Sequence, residues 1–438
     1  MTGVVEQPNV FVSRFEEFAK TGAGAPWLAR IREQAIERFA TLGFPTTREE
    51  EWRFTSVAPI ARTAFEPAVP DGRGVRAADL ERLLFTAPNL VQLVFVNGRY
   101  ASGLSRIALP RGVAAGSLAE ALQGGSAEVE QHLARYAAFD QHAFAALNTA
   151  FLEDGAFVRI PKGTVLETPL HLIFISTTAA APSVTHPRNL VLAERDSQAT
   201  LIETYIGIGE QVTFTNAVTE IVAGENAVID HYKLQLEPVN SFHVAMLQVQ
   251  AGRSGNVSSH LVSIGGALVR QDSGIVLSEG TEATLNGLYL VSGDQHVDNH
   301  TAIDHAKPHG TSHEVFKGIL DGRSSAVFNG RILVRPDAQK TDSKQTNKNL
   351  VLSEEAVINT KPELQIFADD VRCTHGATIG QLDAEALFYL QSRGIGRSEA
   401  RDLLVLAFAR DIIDRIKVEP MRHRLEQILF ERLHVNRQ

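Results

Sequence analysis

One cysteine, Cys373, is all the thiol that 438 residues supply. A single thiol cannot close a disulfide within the chain, so no disulfide framework is expected. Nor can it hold a four-thiolate zinc site or an iron–sulfur cluster alone. Positive charge is also short: 42 Lys and Arg against 51 Asp and Glu leave a net charge of −9. That balance argues against a dedicated nucleic-acid binder and against attachment to anionic membranes. Apolar runs stay below the roughly 18 residues of a membrane span. Met1 to Asn9 lack the basic stretch and apolar core of a signal peptide, which points to the cytosol. Catalytic signatures are missing too. There is no phosphate loop, no H-E-x-x-H pair and no G-x-S-x-G elbow, and Gly207-Ile208-Gly209 lacks the third glycine of a dinucleotide fingerprint. A self-contained ATPase, a Rossmann dehydrogenase, a zincin and an α/β-hydrolase are thereby excluded.

What is present falls into three zones: 1–156, helical and mixed; 157–380, rich in strands; and 381–438, helical. In the first, Phe11 to Lys20 and Pro26 to Leu42 read as helices. Trp27, Ile31, Ala35, Phe39 and Leu42 form an apolar stripe in the second, with Pro26 suited to its start and Gly43 to its stop. Thr47 to Trp52 resembles a capped helix start. Leu90 to Val96 reads as a strand ending in the hairpin signal Asn97-Gly98, and Val129 to Leu152 as one helix. The zone from 381 reads as helices over Asp383–Gln391, Ser398–Lys417 with Ser398 as cap, and Met421–Leu433. Leu403, Leu404, Ala407, Phe408, Ile412 and Ile416 make a stripe that must bury against something, either the end of the preceding zone or a partner.

The middle zone carries a repeat. Gly224-Glu-Asn-Ala227, Gly252-Arg-Ser-Gly255 and Gly280-Thr-Glu-Ala283 each sit between apolar runs and recur every 28 residues (224 to 252 to 280); Gly322-Arg-Ser-Ser-Ala326 and Leu352-Ser-Glu-Glu-Ala356 follow. Such self-similarity marks stacked coils that share one core, here a right-handed parallel β-helix, with a β-sandwich or meander as the alternative.

Two constellations carry chemistry. His296, His300, His305, His309 and His313 lie among Asp294, Asp298 and Asp304. Their spacing on strands scatters them over both faces, so stacked polar side chains are favoured over a metal site. Cys373 and His375 are two apart, so on a strand they share a face, and a nearby imidazolium would lower the thiol pKa. The alternative is a small buried cysteine. Gln339 to Asn347 reads as a solvated polar loop.

Several segments together resemble the SufB/SufD family of iron–sulfur cluster assembly proteins. They are Glu51-Trp52-Arg53-Phe54-Thr55, Val297 to Thr301, Phe328-Asn329-Gly330, Gln339 to Asp342, Asn349 to Ser353, Lys361 to Leu364, Ala368 to Gly380 and Leu387 to Gly394. The Cys-Thr-His-Gly stretch and the lack of further cysteines are more similar to SufD than to SufB. The resemblance implies a β-helix core between N- and C-terminal α-helical domains. It implies pairing of the core with SufB, and docking of the ATPase SufC on the C-terminal helices, with Leu403, Leu404, Ala407, Phe408 and Ile412 as candidates. Cys373 and His375 would be cluster or iron ligands at the SufB interface, the Fe–S cluster being transient and shared with SufB. The expected role is a non-catalytic scaffold, with a homodimer in isolation as an alternative to the heterocomplex. The resemblance leaves open whether a reduced flavin binds the assembled complex. The rivals are a β-helix carbohydrate lyase or hydrolase using Asp369 and Asp370, which adjacent strand positions would point apart, and a purely structural dimer without any ligand role.

Overall fold

The computed structural model describes residues 9–20, 25–69, 75–85, 90–177 and 181–435. Residues 1–8, most of the stretch read for a signal peptide, lie outside these. Its centre is a parallel β-solenoid of about seven turns. Each coil gives one strand to an eleven-stranded sheet and the next to a ten-stranded sheet. Along the first sheet run Thr213–Ala223, Phe242–Ala251, Leu268–Leu277, His296–His305, Ser325–Val334 and Val357–Ile366. Along the second run Gln198–Ile208, Val228–Gln235, Asn256–Ser263, Glu282–Val291, Thr311–Leu320, Asp342–Val351 and Arg372–Gly380.

The repeat has a physical cause at the turns. A Cβ on Gly252 would stand 2.7 Å from the carbonyl carbon of Gly224, so glycine lets successive turns stack. A second turn position is left-handed in every coil from 196 to 340: Asp196, Asn226, Ser254, Gly280, His309 and Lys340 have φ between 54° and 64°. Each donates its N–H to a carbonyl of the next coil at 2.7–3.0 Å. Only one of these six is glycine, so this column is hidden in the sequence. Inside the first coils the core is apolar, with Leu172, Leu201, Ile221, Ile229, Leu247 and Val249.

Pro26–Leu42 is a helix as expected, and Gly43 (φ 67°) closes it by donating to the Phe39 carbonyl at 2.8 Å. Val91–Val96 is a strand followed by an Asn97-Gly98 turn with both φ positive. It pairs in parallel with Leu170–Thr177 and so joins the ten-stranded sheet.

Three local expectations fail. Val129–Leu152 is not one helix but two, Ala127–His132 and Ala143–Ala150. Between them the Glu220 carboxylate accepts the backbone N–H groups of Ala134, Tyr136 and Ala137 at 2.8–2.9 Å, while buried Arg188 holds it at 2.7 Å. Those N–H groups are thereby drawn out of helical pairing. Thr47–Trp52 is a turn ending in one 3₁₀ turn, Glu50–Trp52, because Glu49 folds back to accept the Thr46 N–H. The helix expected from Ser398 is capped by Gly396 and runs Arg397–Ile413, with Ser398 inside its first turn.

Candidate functional site: the open end of the solenoid

The last coil has no successor. Arg372–Gly380 and Val357–Ile366 are the outer strands of the two sheets, each paired on one side only. Both leave a row of backbone donors and acceptors unpaired. Apolar side chains are exposed here as well, Phe367 at 63% and Ile379 at 55%. Among the described residues nothing covers this end. The C-terminal helices do not cap it.

Cys373 and His375 stand on this final strand, on the same face, as their spacing predicts. Register shows which face. Cys373 lies over Ser343 and His375 over Gln345, both buried inside the solenoid. Cys373 packs beside Ile332, Val334 and Ala338 and is half-buried, while His375 is exposed because no coil lies above it. Two polar columns descend from the pair. Under Cys373, Ser343 Oγ and Ser312 Oγ are 2.7 Å apart, and Ser312 Oγ and His305 Nε2 are 2.9 Å apart. Under His375, Gln345 Nε2 donates to Glu314 Oε2 at 2.7 Å. A Cβ on Gly330 would lie 2.4 Å from that Gln345 nitrogen, so the Phe-Asn-Gly motif makes room for the column.

The electrostatics correct one expectation. His375 does not activate Cys373: burial pushes the thiol up first, the Asp342 carboxylate pushes it further, and only a backbone hydrogen bond with Ser343 opposes them. The thiol form is favoured. Burial raises Glu314 to about 7 and lowers His305 to about 4. The stacking of His305 agrees with the sequence reading of the histidine group, whereas the columns under Cys373 and His375 are a new feature whose signal is the alternation of Ser343, Gln345, Asn347 and Asn349.

The five histidines do not converge. His296 contacts Ser325 Oγ at 2.7 Å and Thr55 Oγ1 at 2.9 Å, His300 bridges Glu51 and Asp298, and His309 makes a turn. His296, His300 and His305 are stacked, hydrogen-bonded polar side chains, whereas His309 and His313 are exposed. Among the described residues no group of three or more His, Cys, Asp and Glu side chains is placed to hold a metal ion. Asp369 and Asp370 lie in the turn before the last strand, where Lys340 pairs with Asp370. Lys340 belongs to the polar loop from Gln339, which begins as a turn and becomes the strand Asp342–Val351.

The helices Arg397–Ile413 and Glu419–Val435 pack on the side of the solenoid. Ile412, Ile413, Ile416, Met421 and Leu425 are buried against Tyr232, Leu234, Ile264, Leu288 and Ile319. Polar contacts fix them: Lys417 pairs with Asp230 at 2.9 Å, and Lys317 sits 4.4 Å from the centre of the Phe408 ring. The stripe therefore divides. Ile412 faces the solenoid and cannot line a free surface; Phe408 and Leu404 are half-buried; Leu403 and Ala407 are exposed. The short helix Ala384–Ser392 buries no residue and exposes Phe388 at 72%. No described helix is long and apolar enough to cross a membrane.

Fold and site together define a class: a helix-flanked β-solenoid that is finished at one end, open at the other, and carries a thiol and an imidazole on the open coil. Residues 174–408 match the SUF system FeS cluster assembly SufBD core domain, and residues 11–172 match the SufBD protein N-terminal region. The chain is 36% identical to an iron–sulfur cluster assembly SufBD family protein of Synechocystis sp., over 94% of this chain and 92% of that one. It is 29% identical to the iron–sulfur cluster assembly protein SufD of Escherichia coli, over 92% of each. With SufD of Bacillus subtilis it shares 24% over 94% of this chain and 96% of that one. The chain belongs to the SufBD family of iron–sulfur cluster assembly proteins.

Proposed function

We propose that this chain is a non-catalytic scaffold subunit of the Suf system, which pairs through its open coil with SufB and docks the ATPase SufC on its C-terminal helices. The observation that carries this reading is the uncovered final coil, with Cys373 and His375 on one face and unpaired strand edges beside them. An open parallel edge is satisfied by another strand, so a second solenoid is the fitting partner. One thiol and one imidazole are half of a cluster site, and the partner supplies the rest. The Fe–S cluster is cargo shared across that junction. The raised thiol pKa means that Cys373 gives up a proton on binding iron or sulfur, and the covered junction must lower that cost.

SufC docking rests on the outward face left by the buried stripe, Leu403 and Ala407 with half-buried Leu404 and Phe408 at its margin. Co-expression with SufB and SufC tests both parts. The expected result is a stable complex whose cluster assembly falls sharply in Cys373→Ala and His375→Ala. Unchanged assembly in both variants overturns the site; absence of any complex overturns the scaffold role.

A further inference from the structure

The N-terminal signature Glu51-Trp52-Arg53-Phe54-Thr55 has a part that the cluster reading does not use. With Glu50 it forms a strap across the outer face of the eleven-stranded sheet. Its rear is fixed. Thr55 Oγ1 donates to the buried Asp298 carboxylate at 2.5 Å and touches His296 at 2.9 Å. Arg270, buried and paired with Asp272 and Asp298, stacks 4.2 Å from the Trp52 ring and donates to the Glu51 carbonyl at 2.8 Å. Its front is held differently. Glu51 meets His300 Nδ1 at 3.0 Å, and Glu50 meets Lys361 Nζ at 2.8 Å, with both glutamates largely in solvent. Lys361 belongs to the outer strand Val357–Ile366, so the strap spans from an inner coil to the last one. Glu50, Glu51 and Trp52 of the strap line a cleft of about 440 Å³ together with Tyr136, His142, Met246, Asp272 and Arg331.

Buried aromatic and ion-pair contacts at the rear resist opening, whereas the front pairs, Glu50–Lys361 exposed on both sides and Glu51–His300 exposed at the glutamate, contribute less. We propose that Glu50–Thr55 is a lid hinged at Trp52–Thr55, closed over the cleft by Glu51–His300 and Glu50–Lys361 as one unit. Because one of its two catches sits on the outermost coil, any acidic group that claims Lys361 releases the lid. If the open coil pairs with another solenoid, as proposed above, that junction gains a route to the cleft; the lid itself does not depend on that pairing.

The test uses the full chain alone and so stands apart from complex formation. Acetylation of Lys361 by N-hydroxysuccinimide acetate is followed by mass spectrometry in the parent chain, Glu50→Gln, His300→Gln and the double variant. Glu50→Gln removes the catch directly and raises the Lys361 rate by about threefold. His300→Gln, which touches neither Glu50 nor Lys361, raises it by a similar factor if the lid moves as a unit. Amide exchange over residues 48–56 then rises about tenfold in the double variant, while the strand Phe242–Ala251 is unchanged. An unchanged Lys361 rate in His300→Gln overturns the proposal, because the two pairs are then independent surface contacts. Exchange that rises equally in Phe242–Ala251 also overturns it, as general loosening.

Discussion

The two ends of the solenoid are built from the same coil and finished in opposite ways. At the start, Val91–Val96 is closed off by an antiparallel partner, Arg99–Tyr100, and Ala156–Ile160 by another, Ala114–Ser117. Phe95, Phe174 and Tyr205 then stack in successive coils with ring centroids 4.7–5.0 Å apart, all buried. At the finish, among the described residues, both sheets stop on parallel strands with nothing beyond, and apolar residues of the last coil such as Ile358 and Leu364 are only half-buried. An antiparallel hairpin terminates a sheet with two short segments, so closing the last coil would have needed few residues. The open end therefore leaves unpaired the strand edges that the closed end satisfies within the chain.

The contrast predicts a steep gradient in stability. Phe95→Ala at the closed end should cost about 3–5 kcal/mol by chemical denaturation, the range for removing a fully buried aromatic ring. Ile379→Ala at the open end should stay within about 0.5 kcal/mol, since its side chain is already in solvent. Equal costs at the two ends would break the comparison. Ile412→Ala should behave like the closed end and lose about 2–5 kcal/mol, because it anchors the C-terminal helices. Leu403→Ala should leave stability nearly untouched and, under the proposed docking of SufC, weaken that contact alone.

These positions also show what could be read in advance. The 28-residue interval, the Asn97-Gly98 turn and the apolar stripe of Pro26–Leu42 each depend on neighbours close in sequence, and all are legible. The pairing of Cys373 with His375 is legible for the same reason: two residues on one strand share a face. What escaped depends on partners far along the chain. Glu220 breaks a helix 83 to 86 residues away. Whether Ile412 lines a core or a surface is decided by strand residues 93 to 180 positions earlier, from Ile319 to Tyr232. The thiol of Cys373 is tuned by Asp342 on the preceding coil rather than by the imidazole beside it.

Beneath the open end, Glu314 gives the comparison a pH signature. Burial raises it from 4.5 to about 7, so the folded state favours the neutral acid. Its contribution is fully present below the unfolded value and is lost as pH rises through about 7. Glu314→Gln should abolish that slope and be more stable than the parent chain by about 2–3 kcal/mol at pH 8. Denaturation midpoints measured between pH 4 and 8 check this; parallel curves for the two proteins would refute it. His300 has a smaller effect of the same sign. Asp298 and Glu51 raise it against burial and Arg270, with Asp272, His296, Arg331 and Lys361 also on this face. The charged form is favoured, so its stabilisation is present below the ordinary histidine value and fades as pH rises through the raised one. His300→Gln should remove about 0.5–1 kcal/mol at pH 6 and less at pH 8.

The smallest expected effect bears on the open end most directly. Burial and Asp342 hold the Cys373 thiol above its ordinary pKa, so iodoacetamide at neutral pH should alkylate it more slowly than a free cysteine. Asp342→Asn removes the opposing charge and should raise the rate by about twofold to threefold without changing the fold. His375→Ala should leave the rate unchanged in the isolated chain. A fall in that variant would show that the imidazole does activate the thiol, and would make the open coil a prepared nucleophile rather than a half-site awaiting its partner. Repeating the measurement after complex formation separates the two cases. Under the proposed pairing a half-site becomes protected in the complex, whereas a prepared nucleophile stays reactive.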